Sequence, residues 1–336
     1  MRRLILVAAL TAGFCSSAPA SAEPRILTVP ATASWQHAAT GMTLPPRIAG
    51  FGRGAITDSG SDELDVYTQY DTSDGAASAT VYIYRTDLPD VALWFDRAVE
   101  TLVASDRFGI ERAAMPLPSA FARPGDSRPT GLRTALPAAR EWRSTGVAIA
   151  PLGEWLVKVR MSSSVLDAAA LDKRMEALIA GMRWPAAAPA AREVRPVSAC
   201  AQALTFKRAK VVKPDMTNVL LSLVGSAAAA EGKEPLPTYC RDPANAGPHG
   251  VYRPNSSTNS YVIAFNDAGI ALEVAPAMTL EGLGSGGKSW SMTLLDRGTR
   301  SALLSFNRLP APEQALSVAF GNPEPSLSIS TRKKSD

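Results

Sequence analysis

Gly282-Leu283-Gly284-Ser285-Gly286-Gly287-Lys288-Ser289 satisfies the phosphate-cradling pattern GxxxxGK[ST] at every fixed position. In a nucleotide site that pattern ends a strand and opens a helix, so that backbone N–H groups and the helix N-terminus face the phosphates. Here Trp290-Ser291-Met292-Thr293-Leu294-Leu295 follow with strand character, and too little chain remains for a parallel α/β core. The stretch reads as a hairpin loop. Ser285 and Lys288 also stand at the S-x-x-K spacing of serine acyl-enzymes. That chemistry needs the Ser at a rigid helix start with its Lys one turn on, and the two glycines between them oppose a helix. Neither Ser-Asp-Asn nor Lys-Thr-Gly occurs in the chain.

The chain has two histidines, His37 and His249, far apart in sequence. Histidine is the usual general base and a common metal ligand, so a His-rich metal centre is not expected, and no cofactor is implied. His249 lies in Gly247-Pro248-His249-Gly250, a turn signature, and no G-x-S-x-G elbow accompanies it to suggest a Ser/His/Asp triad. The acid pairs Asp62/Glu63 and Asp87/Asp90 fall where loops are expected, and solvated carboxylates are the rule there. No catalytic residue is assigned.

Cys200 and Cys240 remain once Cys15 is placed in a leader segment, and they are expected to pair. They would staple a polar loop, Cys240 to Asn255, that carries Arg241, His249, Tyr252 and Arg253. A loop ordered in this way can hold an anionic or sugar-like ligand with less entropy left to lose, so these four are the candidate binding residues. Lys207, Arg208, Lys210 and Lys213 read as a solvated strand face, and Arg332-Lys333-Lys334 as a frayed basic tail.

The start, MRRLILVAALTAGFCSSAPASAEP, joins a basic pair, an apolar run and a small-residue A-x-A site, the pattern of a secretory signal peptide over residues 1–22. A periplasmic or secreted location in the bacterial envelope follows as the expectation. Later stretches are too short or too interrupted to span a bilayer, so no transmembrane segment is expected in the mature chain. A formal net charge of +4 spread over 336 residues gives no electrostatic reason to expect a nucleic-acid partner. With 46% hydrophobic residues the chain can bury a sizeable core.

Those residues need elements to place them. Leu64 to Tyr70 and Ala79 to Arg85 alternate apolar and polar around Asp71-Thr72-Ser73-Asp74-Gly75, a hairpin signature. Asp90 caps a helix with apolar positions Val91, Trp94, Phe95, Ala98 and Leu102. Strand-like runs follow near Gly131 to Leu136, Arg140 to Ala150 and Glu154 to Met161, and Asp167 to Met182 is an amphipathic helix. Residues 185–198, PAAAPAAREVRPVS, read as an Ala/Pro-rich linker. They divide the chain into domains at 23–184 and 199–330, with 331–336 as a tail.

In the second domain, Ala203 to Val212 reads as a strand and Asp215 caps a helix that runs through the Ala227 to Ala230 stretch. Hairpins form around Asn266-Asp267-Ala268-Gly269 and Asp296-Arg297-Gly298, and Ala315 to Phe320 and Ser326 to Ser330 add strands. The fold class is α+β, each domain an antiparallel sheet with one or two packed helices. The first domain's order of two strands, helix, three strands and helix, with Trp155 in EWLVKV before a helix ending at Trp184, resembles the small PsbP-like and DcrB-like domains of exported proteins. The resemblance implies a topology and no active residue.

The expected function is that of a non-catalytic envelope protein binding a partner protein or an envelope component. The alternative is a periplasmic hydrolase or transferase whose carboxylates are assembled by the fold, and its sign would be two carboxylates of perturbed pKa in one cleft. A third reading, an apolar ligand between sheet and helix in the first domain, requires an enclosed apolar pocket.

Overall fold

The computed structural model describes residues 23–186, 191–212, 236–244, 246–277, 289–321 and 327–330. The leader, the expected helix from Asp215 to Ala230, the GxxxxGK stretch up to Lys288 and the basic tail lie outside them.

The first half holds β1 (Arg25–Leu27), β2 (Trp35–Gln36), β3 (Thr43–Leu44), β4 (Arg47–Ile48), β5 (Phe51–Asp58), β6 (Asp65–Thr72), β7 (Ala77–Arg85), α1 (Val91–Val103), β8 (Ser119–Phe121), β9 (Gly131–Pro137), β10 (Ser144–Leu152), β11 (Trp155–Ser163) and α2 (Ala168–Gly181). The second holds β12 (Ser198–Ala199), β13 (Val211–Val212), β14 (Tyr239–Asp242), β15 (Gly250–Pro254), β16 (Tyr261–Phe265), β17 (Ile270–Pro276), β18 (Trp290–Asp296), β19 (Thr299–Phe306), α3 (Pro312–Gly321) and β20 (Leu327–Ser330).

The first sheet runs β1-β5-β6-β7-β11-β10-β9-β8, antiparallel throughout, with β4 beside β5. The second runs β12-β14-β15-β16-β17-β18-β19-β13, with β20 also on β19. Only the β12–β14 pair is parallel among its described ladders. The α+β, antiparallel expectation therefore holds.

Strand alternation sends successive side chains to opposite faces. Ala79, Val81 and Ile83 of β7 and Val157, Val159 and Met161 of β11 meet Leu171, Met175 and Leu178 of α2 in one apolar cluster. The other face offers Leu132, Val147, Ile149 and Leu156 to α1. The same cluster continues through Trp94 to Tyr252, Val262, Ala264, Ala271 and Leu295 of the second sheet. Helix α1 is thus an inner layer, and eight of its thirteen residues are buried. Its sequence, VALWFDRAVETLV, is apolar over more of its circumference than a surface helix requires. The outer face of the second sheet, with Tyr261, Ile263, Leu272 and Phe306, packs on Ala315 of α3.

Four expectations need correction. The Cys240 to Asn255 stretch, read as a polar loop, supplies most of β14 and all of β15, which pair with each other, and the first half has seven strands before α1 and four between α1 and α2 in place of two and three. Ala315 to Phe320 lies in helix α3 and not in a strand, because Pro312 opens the helix at a position where its missing N–H is no loss. Within Ala203 to Val212 only Val211–Val212 enters a ladder. The preceding residues are fastened by side chains, with Leu204 N donating to Asp242 Oδ2 at 3.2 Å, and Gln314 Nε2 to the Ala209 carbonyl at 2.8 Å.

Candidate functional site

The described part of the Ala/Pro-rich segment is laid against the fold in an extended course. Val194 N donates to the Pro129 carbonyl at 3.0 Å, and its side chain enters the cluster around α1. Ser198–Ala199 then pairs with Cys240–Arg241 of β14, and Cys200 is disulfide-bonded to Cys240, as expected of the two cysteines.

Between this segment, the first turn of α1 and the β14–β15 edge lies a cleft of about 490 Å³. Its wall carries Asp90, Arg192, Glu193, Arg195, Tyr239 and the hydroxyl-bearing Ser198, Thr238 and Ser256. Asp90 caps α1, Oδ1 accepting from Leu93 N at 2.8 Å, while Oδ2 accepts from Arg192 Nη2. Arg192 also donates to the carbonyls of Leu236 and Pro237, at 2.8 and 2.9 Å. Arg195 is exposed and donates to no group among the described residues.

Burial raises the pKa of Asp90 above the usual carboxylate range, against the opposing pull of the Leu93 N–H and Arg192. Tyr239 is pushed up by burial and by the charges of Asp90 and Glu273. Glu273, on β17, is itself raised by burial, with Arg300 opposing and Asp87 adding to the shift. The charges of two carboxylates whose own pKa values burial raises thus act on one tyrosine. Asp90 lines the cleft, whereas Glu273 does not, lying three strands along the same sheet as Tyr239.

The four candidate binding residues do not form one site. Arg241 and Tyr252 are cross-strand partners and both reach α1: the Tyr252 hydroxyl donates to Asp96 Oδ2 at 2.6 Å, and Arg241 Nη1 lies 2.8 Å from Glu100 Oε1. They fasten the second sheet to the helix. Arg253 is paired with Cys240 in register and turns away; it is buried against Asp242, Nη1 to Oδ2 3.3 Å, with Nε unpartnered. His249 packs its ring edgewise on Phe265 at 4.9 Å, and burial followed by the Arg97 charge lowers its pKa. The other histidine, His37, is fully buried between Trp35 and Trp155, hydrogen-bonded to Thr40 and to the Glu63 carbonyl, and burial lowers its pKa as well.

Among the described residues, no group of three or more His, Cys, Asp or Glu side chains is arranged to hold a metal ion, and no helix is long and apolar enough to cross a membrane. The space between the first sheet and α2, beside Phe121, Val157, Met182 and Trp184, leaves no room for a water-sized sphere. That contact offers an apolar ligand no cavity.

Arg192, Arg195 and Tyr239 were not legible as site residues, because the first two fall in a segment that reads as a spacer and Tyr239 precedes a stretch, Cys240 to Asn255, that reads as a polar loop. The alternation of Val194 and Val197 with Arg192, Glu193 and Arg195 is the local signal that the segment lies on a surface. No protein family, curated protein or solved structure compared with this chain matches it.

Proposed function

We propose that the protein is an exported, non-catalytic binding protein of the bacterial envelope, two α+β units sharing one core, whose ligand occupies the cleft at the start of α1. The observation that carries this reading is the makeup of that cleft. A cavity of about 490 Å³ falls in the size range of small-molecule sites and is lined by Tyr239, three hydroxyl-bearing residues, the acids Asp90 and Glu193, and Arg192 and Arg195, of which Arg195 has an uncommitted guanidinium among the described residues. Aromatic, hydroxyl and cationic groups together suit a sugar-like ligand that bears carboxylates, and soluble peptidoglycan fragments are the envelope component of that chemistry. The N-terminal leader pattern and the Cys200–Cys240 bond support a location outside the cytoplasm. The first unit, with seven strands before α1 and four between α1 and α2, does not reproduce the two-strand, helix, three-strand, helix order on which the PsbP-like or DcrB-like resemblance rested.

The test is a thermal-shift and calorimetric titration of the oxidised full chain with muropeptides. A ligand at about 100 times its Kd adds roughly 2.7 kcal/mol, a readily visible shift. Saturable binding that Arg195→Ala weakens about tenfold is the expected result; no binding, or binding indifferent to Arg195→Ala, overturns the assignment.

A second reading, a hydrolase or transferase, rests on the raised pKa values of Asp90, in the cleft, and of Glu273, outside it, whose charges both act on Tyr239. Chromatography of the same mixtures separates the two: new products that disappear with Glu273→Gln would replace binding by catalysis.

A further inference from the structure

A second groove, of about 610 Å³, opens on the α2 side of the first sheet, the face away from α1. The β6–β7 turn, the β11–α2 connection, Gly50 and the exposed side of α2 enclose it. Arg174 of α2 reaches into it. Its guanidinium lies over the ring of Phe51, Cζ 5.2 Å from the centroid, and Phe51 is fully buried, so the platform is fixed. Gly50 leaves the space that the guanidinium fills: a Cβ at that position would stand 3.2 Å from Arg174 Nη2. At φ +84°, Gly50 also holds a backbone conformation that side-chain-bearing residues rarely adopt.

Stacking and shape therefore place this cation, yet among the described residues it donates no hydrogen bond and forms no ion pair, its charge acting on the Asp74 carboxyl of the same groove only as the least of the causes that lower that pKa. Arg53, Arg97, Arg123, Arg133, Arg241 and Arg300 all have such partners. Lys173 and Ser73 stand at the same groove, equally uncommitted. The acid present, Asp74, is engaged by its own turn, Oδ1 accepting from Ala76 N at 3.1 Å. The hydroxyls of Thr72 and Ser163 are likewise used by Ala77 and by Val165 and Leu166.

A planar fork of donors, already ordered and left without an acceptor, suits an oxyanion, which it can meet with two parallel hydrogen bonds. We propose that this groove is a second ligand site, distinct from the cleft at α1, that takes a phosphate or carboxylate group carried by a larger polar molecule, with Arg174 as its anchor and Lys173 as a supporting charge.

The test is an NMR titration of the isotopically labelled full chain at low ionic strength, where screening is weakest. Inorganic phosphate and acetate serve as separate probes. Saturable shifts of the amides of residues 72–76 and 170–174 are expected from at least one of the two anions, and the one that acts names the source. Arg174→Ala should weaken that binding about tenfold or more, the loss expected for a charged hydrogen-bonding group. Arg174→Lys, which keeps the charge and loses the fork, should fall between. Arg195→Ala, in the other cleft, should leave it unchanged. Arg174 forms no hydrogen bond that the fold would lose, and an unaltered melting curve verifies folding of the variants. Shifts that persist undiminished in Arg174→Ala, or no saturable shift with either anion up to about 50 mM, where even millimolar affinity saturates, overturn the proposal.

Discussion

Glu100 shows how a single carboxylate is held by both halves of the chain. Burial alone would raise its pKa, but Arg112 grips it with two hydrogen bonds of 2.8 and 2.6 Å and Arg241 adds a contact of 2.8 Å. Together these outweigh the burial and bring Glu100 to about 2. The fold therefore favours the ionised form. Its contribution to stability is complete above the ordinary glutamate range and drains away as the pH falls from there towards 2. One turn earlier, Asp96 is raised by burial despite Arg241 and the Tyr252 hydroxyl, so it acts in the opposite sense and partly offsets the loss. Urea denaturation at pH 5, 4 and 3 isolates Glu100 when the wild type is compared with Glu100→Gln. The wild type should lose stability more steeply over this interval than the variant. Parallel profiles would mean that the two arginines do not select the charged form.

At the scale of elements, the weakest structural member beside the cleft is β12, two residues in parallel register with β14 and exposed. So short a ladder cannot fix the strand, and the Cys200–Cys240 bond next to it does so instead. The sequence separation of 40 residues corresponds, by chain entropy, to about 4 kcal/mol of stabilisation. Cys200→Ser/Cys240→Ser should lower the unfolding free energy by an amount of this order in urea, and a loss below about 1 kcal/mol would show that the unfolded chain gains little freedom when uncoupled. The elements legible in the sequence are those with local punctuation. Asp71 to Gly75, Asn266 to Gly269 and Arg297-Gly298 mark hairpins, and Asp90 and Asp167 cap the two helices that the 3.6 periodicity announces. The elements that were misread lack it. Residues 203–210 carry strand-like residues but find their partners in the side chains of Asp242, Gln314 and Asn307, and α3 hides its period behind small residues in PEQALSVAFG. The cleft was illegible for a related reason, since Asp90, Arg192 and Tyr239 come from three distant segments that only the layering of the two sheets on α1 brings together.

At the scale of the whole molecule, the question is whether the two sheets unfold as one. The apolar cluster around Trp94 is shared between them, and its margins are closed by polar contacts that cross the same seam. The β16–β17 turn is pressed onto the first sheet. Lys158 Nζ donates to the carbonyl and to Oδ2 of Asp267, both at 2.8 Å, Arg160 reaches the same Oδ2 at 2.6 Å, and Arg97 Nε donates to the Asn266 carbonyl at 3.0 Å. Gly269 is required here twice over: its φ of +77° suits the turn, and a Cβ would lie 2.8 Å from the Tyr84 ring. The β18–β19 turn docks in the same way, Gly298 N donating to Asp87 Oδ2 at 2.8 Å. Burial lowers the pKa of Lys158, while the two cations overcome the burial of Asp267 and keep its carboxyl low. Asp267→Ala would leave Lys158 enclosed by Tyr82 and Tyr84 without its counter-charge, which typically costs about 3–5 kcal/mol. Because the lesion sits in a shared core, the loss should appear equally in both halves. Hydrogen exchange near the global limit is the measurement that decides it, read at β11 amides for the first sheet and β17 amides for the second. Equal destabilisation of both is expected from a continuous core. A second sheet that opens early, with β11 protected as in the wild type, would mean that the layers around α1 are joined only loosely and that the cleft at its N-terminus is a hinge.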